Sequence, residues 1–177
     1  GELGAHDDRE SVARAVRQLG YDLSEEDMAK VYEAFVKIAE KKTVSPKELD
    51  VIVASNALQV PPSYQLQSYL INSGNVITPI AHLKLEREGE TLQGICAGDG
   101  PIDAAFLAIE QAVGHHYELD DYQIQAVTEG REAMGAALIR LRSGGKLYSG
   151  QGISTDVIGA SIQAYLNALN KIVYEEM

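Results

Sequence analysis

A chain of 177 residues with 45% hydrophobic content can bury a substantial core, enough for one domain and a small appendage. Its formal charge of -11 repels phosphate backbones and anionic lipid, and the adjacent basic pair Lys41-Lys42 is too short to offset it, so nucleic acid and membrane surfaces are not expected as partners. The one cysteine, Cys96, rules out an internal disulfide, and no apolar run has the length of a bilayer span or a signal peptide, so a cytoplasmic protein is expected.

Residues 1–60 read as a small helical subdomain. Val12, Ala15, Val16 and Leu19 share one face of a first helix that Gly20 stops. Ser24 caps a second helix with the stripe Met28, Val31, Tyr32, Phe35 and Ile38, and Lys41 and Lys42 suit its carbonyl end. Ser45-Pro46-Lys47-Glu48 combines an N-cap serine, a first-turn proline and the glutamate of a capping box, and Leu49, Ile52 and Val53 give the third helix its apolar face. Three helices of this size form a weak core alone and need something to pack against. The chain opens on Gly1 rather than Met, as a piece of a longer protein would, and His6 is expected to be disordered there.

Pro61-Pro62 marks the start of a second domain, 61–177, where the hydrophobic period changes. Strands are expected over Leu66–Ser73, Thr78–Glu86 and Thr91–Ala97, with Ile80, His82 and Lys84 alternating against Ala81, Leu83 and Leu85 and a turn at Glu88-Gly89. A helix follows from about Pro101, with Ile102, Ala105, Phe106 and Ile109 on one face. The same course then recurs: strands over Tyr122–Thr128, Ala133–Leu141 and Leu147–Ile153, a Ser143-Gly144-Gly145 turn, and a helix from about Asp156.

Sliding the chain along itself by 56 residues places Gln67 on Gln123, Gly94 on Gly150, Ile102 on Ile158, and Ala104, Ala108 and Ala112 on Ala160, Ala164 and Ala168 without a gap. A gapless register over that span points to a duplicated unit, and two copies are too few for a solenoid. The fold class is α+β: two tandem βββα repeats, about 63–114 and 119–171, with pseudo-twofold symmetry and antiparallel sheets, preceded by the small three-helix subdomain.

Gly98-Asp99-Gly100-Pro101 joins a strand to a helix start, where free amides and the helix dipole can seat a carboxylate or phosphate. Taken alone, a simple turn capped by Asp99 or Gly100 is the favoured reading there. In the duplicate, Ser154-Thr155-Asp156 supplies hydroxyl and carboxylate caps instead, so one copy reads as open and the other as self-satisfied. His6, His82, His115 and His116 lack metal-site spacing, Cys96 reads as a small core residue, and Asp120-Asp121 reads as a solvated turn. No catalytic constellation assembles.

Three runs in order carry a resemblance: Gly98-Asp99-Gly100-Pro101-Ile102-Asp103-Ala104; then Leu119-Asp120-Asp121-Tyr122 with Gln125-Ala126-Val127-Thr128-Glu129-Gly130; then Tyr165-Leu166-Asn167-Ala168-Leu169-Asn170. Together they resemble the C-terminal linker subdomain and regulatory domain of the 2-isopropylmalate synthase and citramalate synthase family. The resemblance covers essentially the whole chain. It implies a regulatory fragment of an acyltransferase that condenses acetyl-CoA with a 2-oxo acid on a barrel absent here, so the fragment itself is not expected to catalyse or to hold a cofactor, the divalent metal belonging to the parent enzyme. It further implies a homodimer that binds leucine, or isoleucine in the citramalate enzymes, at the interface as feedback inhibitor. At matching positions Gly98, Gly100, Ile102 and Ala104 would line the pocket from the first repeat and Ala126, Ala133 and Ile153 from the second, with Asp99 as acceptor for the α-ammonium; core packing, or a helix cap for Asp99, remains open for each. At the N-terminus Leu3, Gly4, His6 and Arg9 match the family's Leu-Gly-Lys-His-Ser-Gly-Arg while its Lys, Ser and second Gly are lost, which leaves the parent's substrate open. A plain dimerisation module and a stand-alone enzyme remain as competing readings.

Overall fold

A computed structural model of the chain describes residues 1–57, 60–72, 74, 78–126 and 134–177, with Ala126 described through its backbone. The elements run α1 (Arg9–Gln18), α2 (Glu25–Ala39), α3 (Pro46–Asn56), β1 (Gln65–Asn72), β2 (Ile80–Arg87), β3 (Glu90–Ala97), α4 (Pro101–Val113), β4 (Glu118–Ala126), β5 (Gly135–Ser143), β6 (Lys146–Ser154) and α5 (Val157–Glu176). Three helices therefore precede two βββα repeats. The 56-residue offset carries the first residues of β3 and α4 onto 146 and 157, where β6 and α5 begin.

Contacts divide the chain into two compact units, Gly1–Gln59 with Gln123–Leu138 and Gln151–Ala164, and Val60–Tyr122 with Ile139–Gly150 and Tyr165–Met177. In the first, each short helix begins at a side-chain cap. Asp8 accepts from the Ser11 amide at 2.9 Å, Ser24 from the Asp27 amide at 3.1 Å, and Ser45 from the Glu48 amide at 3.2 Å while Glu48 returns a bond to the Ser45 amide. Each cap satisfies a helix-terminal amide that would otherwise compete for water. Val12, Val16, Val31, Phe35, Leu49, Ile52 and Val53 form the buried seam, and Met134 and Ile153 belong to the same apolar cluster. These two extend a core that three short helices could not fill alone. The N-terminal segment is tied in rather than loose: Leu3 and Val44 exchange backbone hydrogen bonds of 2.9 and 2.8 Å, because pairing satisfies amides beside the apolar seam.

Glu48 has a second partner that the sequence did not disclose. Its side chain is 1% exposed and forms an ion pair with Lys42. Burial alone would raise the Glu48 carboxyl, but the Lys42 and Ser45 hydrogen bonds outweigh it and hold the group below the usual 4.5.

In the second unit, β1, β2 and β3 form an antiparallel sheet in that order, with Ala81, Leu83 and Leu85 buried on the face that meets α4 and Ile80, His82 and Lys84 on the other. β4, β5 and β6 form the second sheet in the same order, with Ala137, Ile139 and Leu141 buried. Two-residue turns set both hairpins. Glu88 and Gly89 have φ of 52° and 79°, and Gly144 and Gly145 have 57° and 77°, the paired positive values whose twist matches the strands on either side.

β4 starts at Glu118, earlier than the sequence suggested, and Asp120 and Asp121 lie in it rather than in a solvated turn. Asp121 accepts from Arg140 at 2.6 Å and Asp120 from Arg142 at 3.3 Å. Opposite charges on the neighbouring strand offset the poor strand propensity of aspartate.

The helix α4 approaches β3 unusually closely. A Cβ on Gly94 would lie 1.8 Å from the Ala108 carbonyl oxygen, and one on Gly98 would lie 2.4 Å from the Ala104 amide nitrogen. In the second repeat the tight point is Gly152, 2.1 Å from the Ala160 oxygen by the same construction, whereas Gly94 aligns with Gly150. The duplicates thus share a glycine-mediated approach but place it one inward-facing position apart.

Candidate ligand site at the start of the fourth helix

Gly98, Asp99 and Gly100 form the connection from β3 into α4, held at one end by the Gly98 amide donating to the Pro79 carbonyl at 3.1 Å. Gly100 is the N-cap of α4, in extended conformation with φ -156° and ψ 174°, and no side chain caps this helix. A Cβ at Gly100 would have no atom within 4 Å, so the space beside the helix start is open. Pro101 at the first helical position has no amide to leave unpaired.

The second repeat differs at this point. Asp156 accepts from the Ile158 and Gly159 amides at 3.0 and 3.3 Å, and Ser154 accepts from the Asp156 amide at 3.1 Å. The start of α5 is capped by its own side chains, while no side chain caps the start of α4.

The sequence-derived candidates fall into different environments. Asp99 is exposed, and its backbone amide donates to the Asp103 carboxylate at 2.8 Å. Asp103 was not among those candidates; its place four residues after Asp99, in the first helical turn, was the available signal. Ile102 is partly exposed on the same turn. Gly98 and Ala104 face each other across the strand–helix contact, and Ala104 is fully buried there. Ile153 is 7% exposed within the apolar cluster of the helical unit, its amide donating to Gln163 at 2.9 Å. Ala126 ends β4, and Ala133 lies outside the described residues. Within the stretch 98 to 104, Asp99 and Asp103 are exposed, Ile102 is partly exposed and Gly100 has open space beside it, while Gly98 and Ala104 pack at the strand–helix approach.

Behind this turn, Phe106 of α4 lies 5.6 Å from Tyr122, edge on, and 5.0 Å from Tyr165. Burial raises the Tyr165 phenol above its usual value, so it stays neutral. Two described cavities lie elsewhere: one of about 230 Å³ bordered by Leu3, Ala15, Leu19, Val44 and Leu49, the other of about 170 Å³ bordered by Gln123, Gln125, Ala136 and Gln151. Among the described residues no three His, Cys, Asp or Glu side chains are grouped to hold a metal ion, and no helix is long and apolar enough to cross a membrane.

A tandem βββα module behind short helices, with one helix start capped from within and the other bare, defines a duplicated α+β module. The chain belongs to the family described as the LeuA allosteric (dimerisation) domain, which matches residues 43–173. It is similar to 2-isopropylmalate synthases: 38% identical over 174 residues to that of Heliobacterium modesticaldum, 37% over 175 residues to that of Carboxydothermus hydrogenoformans, and 35% over 176 residues to that of Prochlorococcus marinus (strain MIT 9211). Each alignment takes in 98% of this chain and 33 to 34% of the relative, so the chain spans about a third of the length of the curated relatives it matches.

Proposed function

We propose that the chain is the amino-acid-sensing regulatory part of a cytoplasmic 2-isopropylmalate synthase, taking leucine as a feedback inhibitor between two copies of the module. The supporting observation is the difference between the helix starts: Asp156 caps α5, whereas Gly100 leaves α4 uncapped beside open space. In this reading the amides at the start of α4 hold the α-carboxylate, Asp99 and Asp103 receive the α-ammonium, and Ile102 walls the side chain. The wall from Ala126, Ala133 and Ile153 rests on the family resemblance alone. Burying an isobutyl group contributes about 1.5–3 kcal/mol, so the two charged ends carry much of the affinity. Titration calorimetry with leucine, isoleucine and valine, with lysine as control, tests the assignment. Heat with leucine supports it, heat with isoleucine alone moves the parent to a citramalate synthase, and flat traces for all reduce the chain to a dimerisation module.

A further inference from the structure

Asp99-Gly100 is the one place in the sequence where an aspartate or asparagine precedes a glycine. Such a pair can cyclise, because the following amide nitrogen can attack the side-chain carboxyl carbon and a glycine, having no Cβ, leaves that approach unhindered. A fold prevents the reaction by tying up the amide or the carboxylate. Here it ties up neither: among the described residues none accepts from the Gly100 amide and none donates to the exposed Asp99 carboxylate. Gly100 precedes the first helical residue in extended backbone, and a Cβ built on it meets no atom within 4 Å. Two other aspartates are protected. Asp103 is followed by Ala104, whose amide donates to the Gly100 carbonyl at 2.9 Å. Asp156 is followed by the β-branched Val157, and its carboxylate is held by the Ile158 and Gly159 amides.

We propose that Asp99-Gly100 is a site of spontaneous aspartate isomerisation in the folded chain. The Gly100 nitrogen bonds to Asp99 Cγ, its proton and the carboxyl hydroxyl leave together as water, and a succinimide ring results. Water then adds to either ring carbonyl. Addition at Cγ breaks the new bond and restores aspartate. Addition at the Asp99 main-chain carbonyl breaks the original peptide bond, so the chain runs through Cβ and Cγ and the carboxylate stays on Cα. No redox partner takes part, and the product has the mass of the starting chain. The main chain gains one carbon between Gly98, held by Pro79, and the Gly100 carbonyl, held by Ala104, which displaces the helix start assigned to the ligand. On the leucine-sensing reading, on which this consequence rests, an isomerised chain loses effector binding.

The full 177-residue chain is incubated for weeks at neutral pH, folded or in urea, and then digested with an endoprotease that cuts before aspartate but not before isoaspartate. In the folded chain, cleavage before Asp99 is expected to be lost progressively at unchanged peptide mass, with a passing species lighter by one water, while cleavage before Asp103 and Asp156 is kept. Gly100→Ala, whose methyl enters open space, is expected to suppress the loss. Retained cleavage before Asp99 in the folded chain overturns the proposal, and loss confined to the urea sample would identify the fold as the protector. Calorimetry separates the consequence from the reading beneath it. Leucine heat that falls in proportion to isoaspartate supports both, equal heat from fresh and aged chains overturns the consequence, and no heat from the fresh chain overturns the leucine reading while the digest still decides the isomerisation.

Discussion

Replacing Gly94 by alanine tests the close packing of α4 on β3. The new methyl would sit 1.8 Å from the Ala108 carbonyl oxygen and 2.7 Å from its carbonyl carbon, both backbone atoms inside a helix. Carbon atoms come to rest about 3.5–4 Å from their neighbours, so the helix must withdraw by more than ~1 Å or the strand must bend. Overpacking typically costs about 1–3 kcal/mol, and here no side chain can rotate away, which places the cost at or above about 3 kcal/mol. For a chain of this size each kcal/mol moves the melting temperature by about 2–4 °C, so thermal unfolding should fall by about 6–12 °C. Gly100→Ala is the matched control, since its methyl enters open space and its φ of -156° suits any residue. Losing the glycine N-cap should cost it less than about 1 kcal/mol. Equal melting temperatures for Gly94→Ala and the native chain would refute the close-approach account.

Gly100→Ser should add the missing cap and raise stability by roughly a few tenths of a kcal/mol, while calorimetry shows weaker leucine binding because the hydroxyl occupies the amides. Glu48→Ala strips one partner from a buried ion pair and should destabilise the helical unit by about 3 kcal/mol in urea titrations. Because the Glu48 carboxyl is held below its ordinary value in the folded chain, its contribution is present above about pH 4.5 and is lost as acid carries the pH through the folded value; acid titration of the native chain should show that loss and the Glu48→Ala variant should lack it. Asn170→Leu removes the acceptor of the Ser63 and Tyr64 amides, at 3.1 and 2.8 Å, and should cost about 3 kcal/mol by denaturant melts.

Local signals in the sequence carried far. Ser24, Ser45 and the Glu48 capping box, the Glu88-Gly89 turn and the alternation through Ala81, Leu83 and Leu85 each encode their element within a few residues, and each is present in the fold. The repeat offset was legible because identical packing demands kept alanines on the same face of α4 and α5. What stayed hidden depends on residues far apart in the chain. Asp120 and Asp121 read as a turn because their Arg140 and Arg142 partners lie on the next strand. The close approach of the Ala104 backbone to Gly98 was not legible, because sequence spacing does not say how near a helix backbone passes. Asp103 needed coordinates as well.

Asn170 also constrains when the molecule can complete itself. Its side chain grips the backbone of Tyr64 across 106 positions, both accepting from the amide and donating to the carbonyl. On a ribosome emitting about 5–20 residues per second, the entry to the first strand waits several seconds for its anchor. The short helices and the local strand pairs can form as they emerge, but the backbone at Ser63 and Tyr64 gains its side-chain anchor only after translation has passed Asn170.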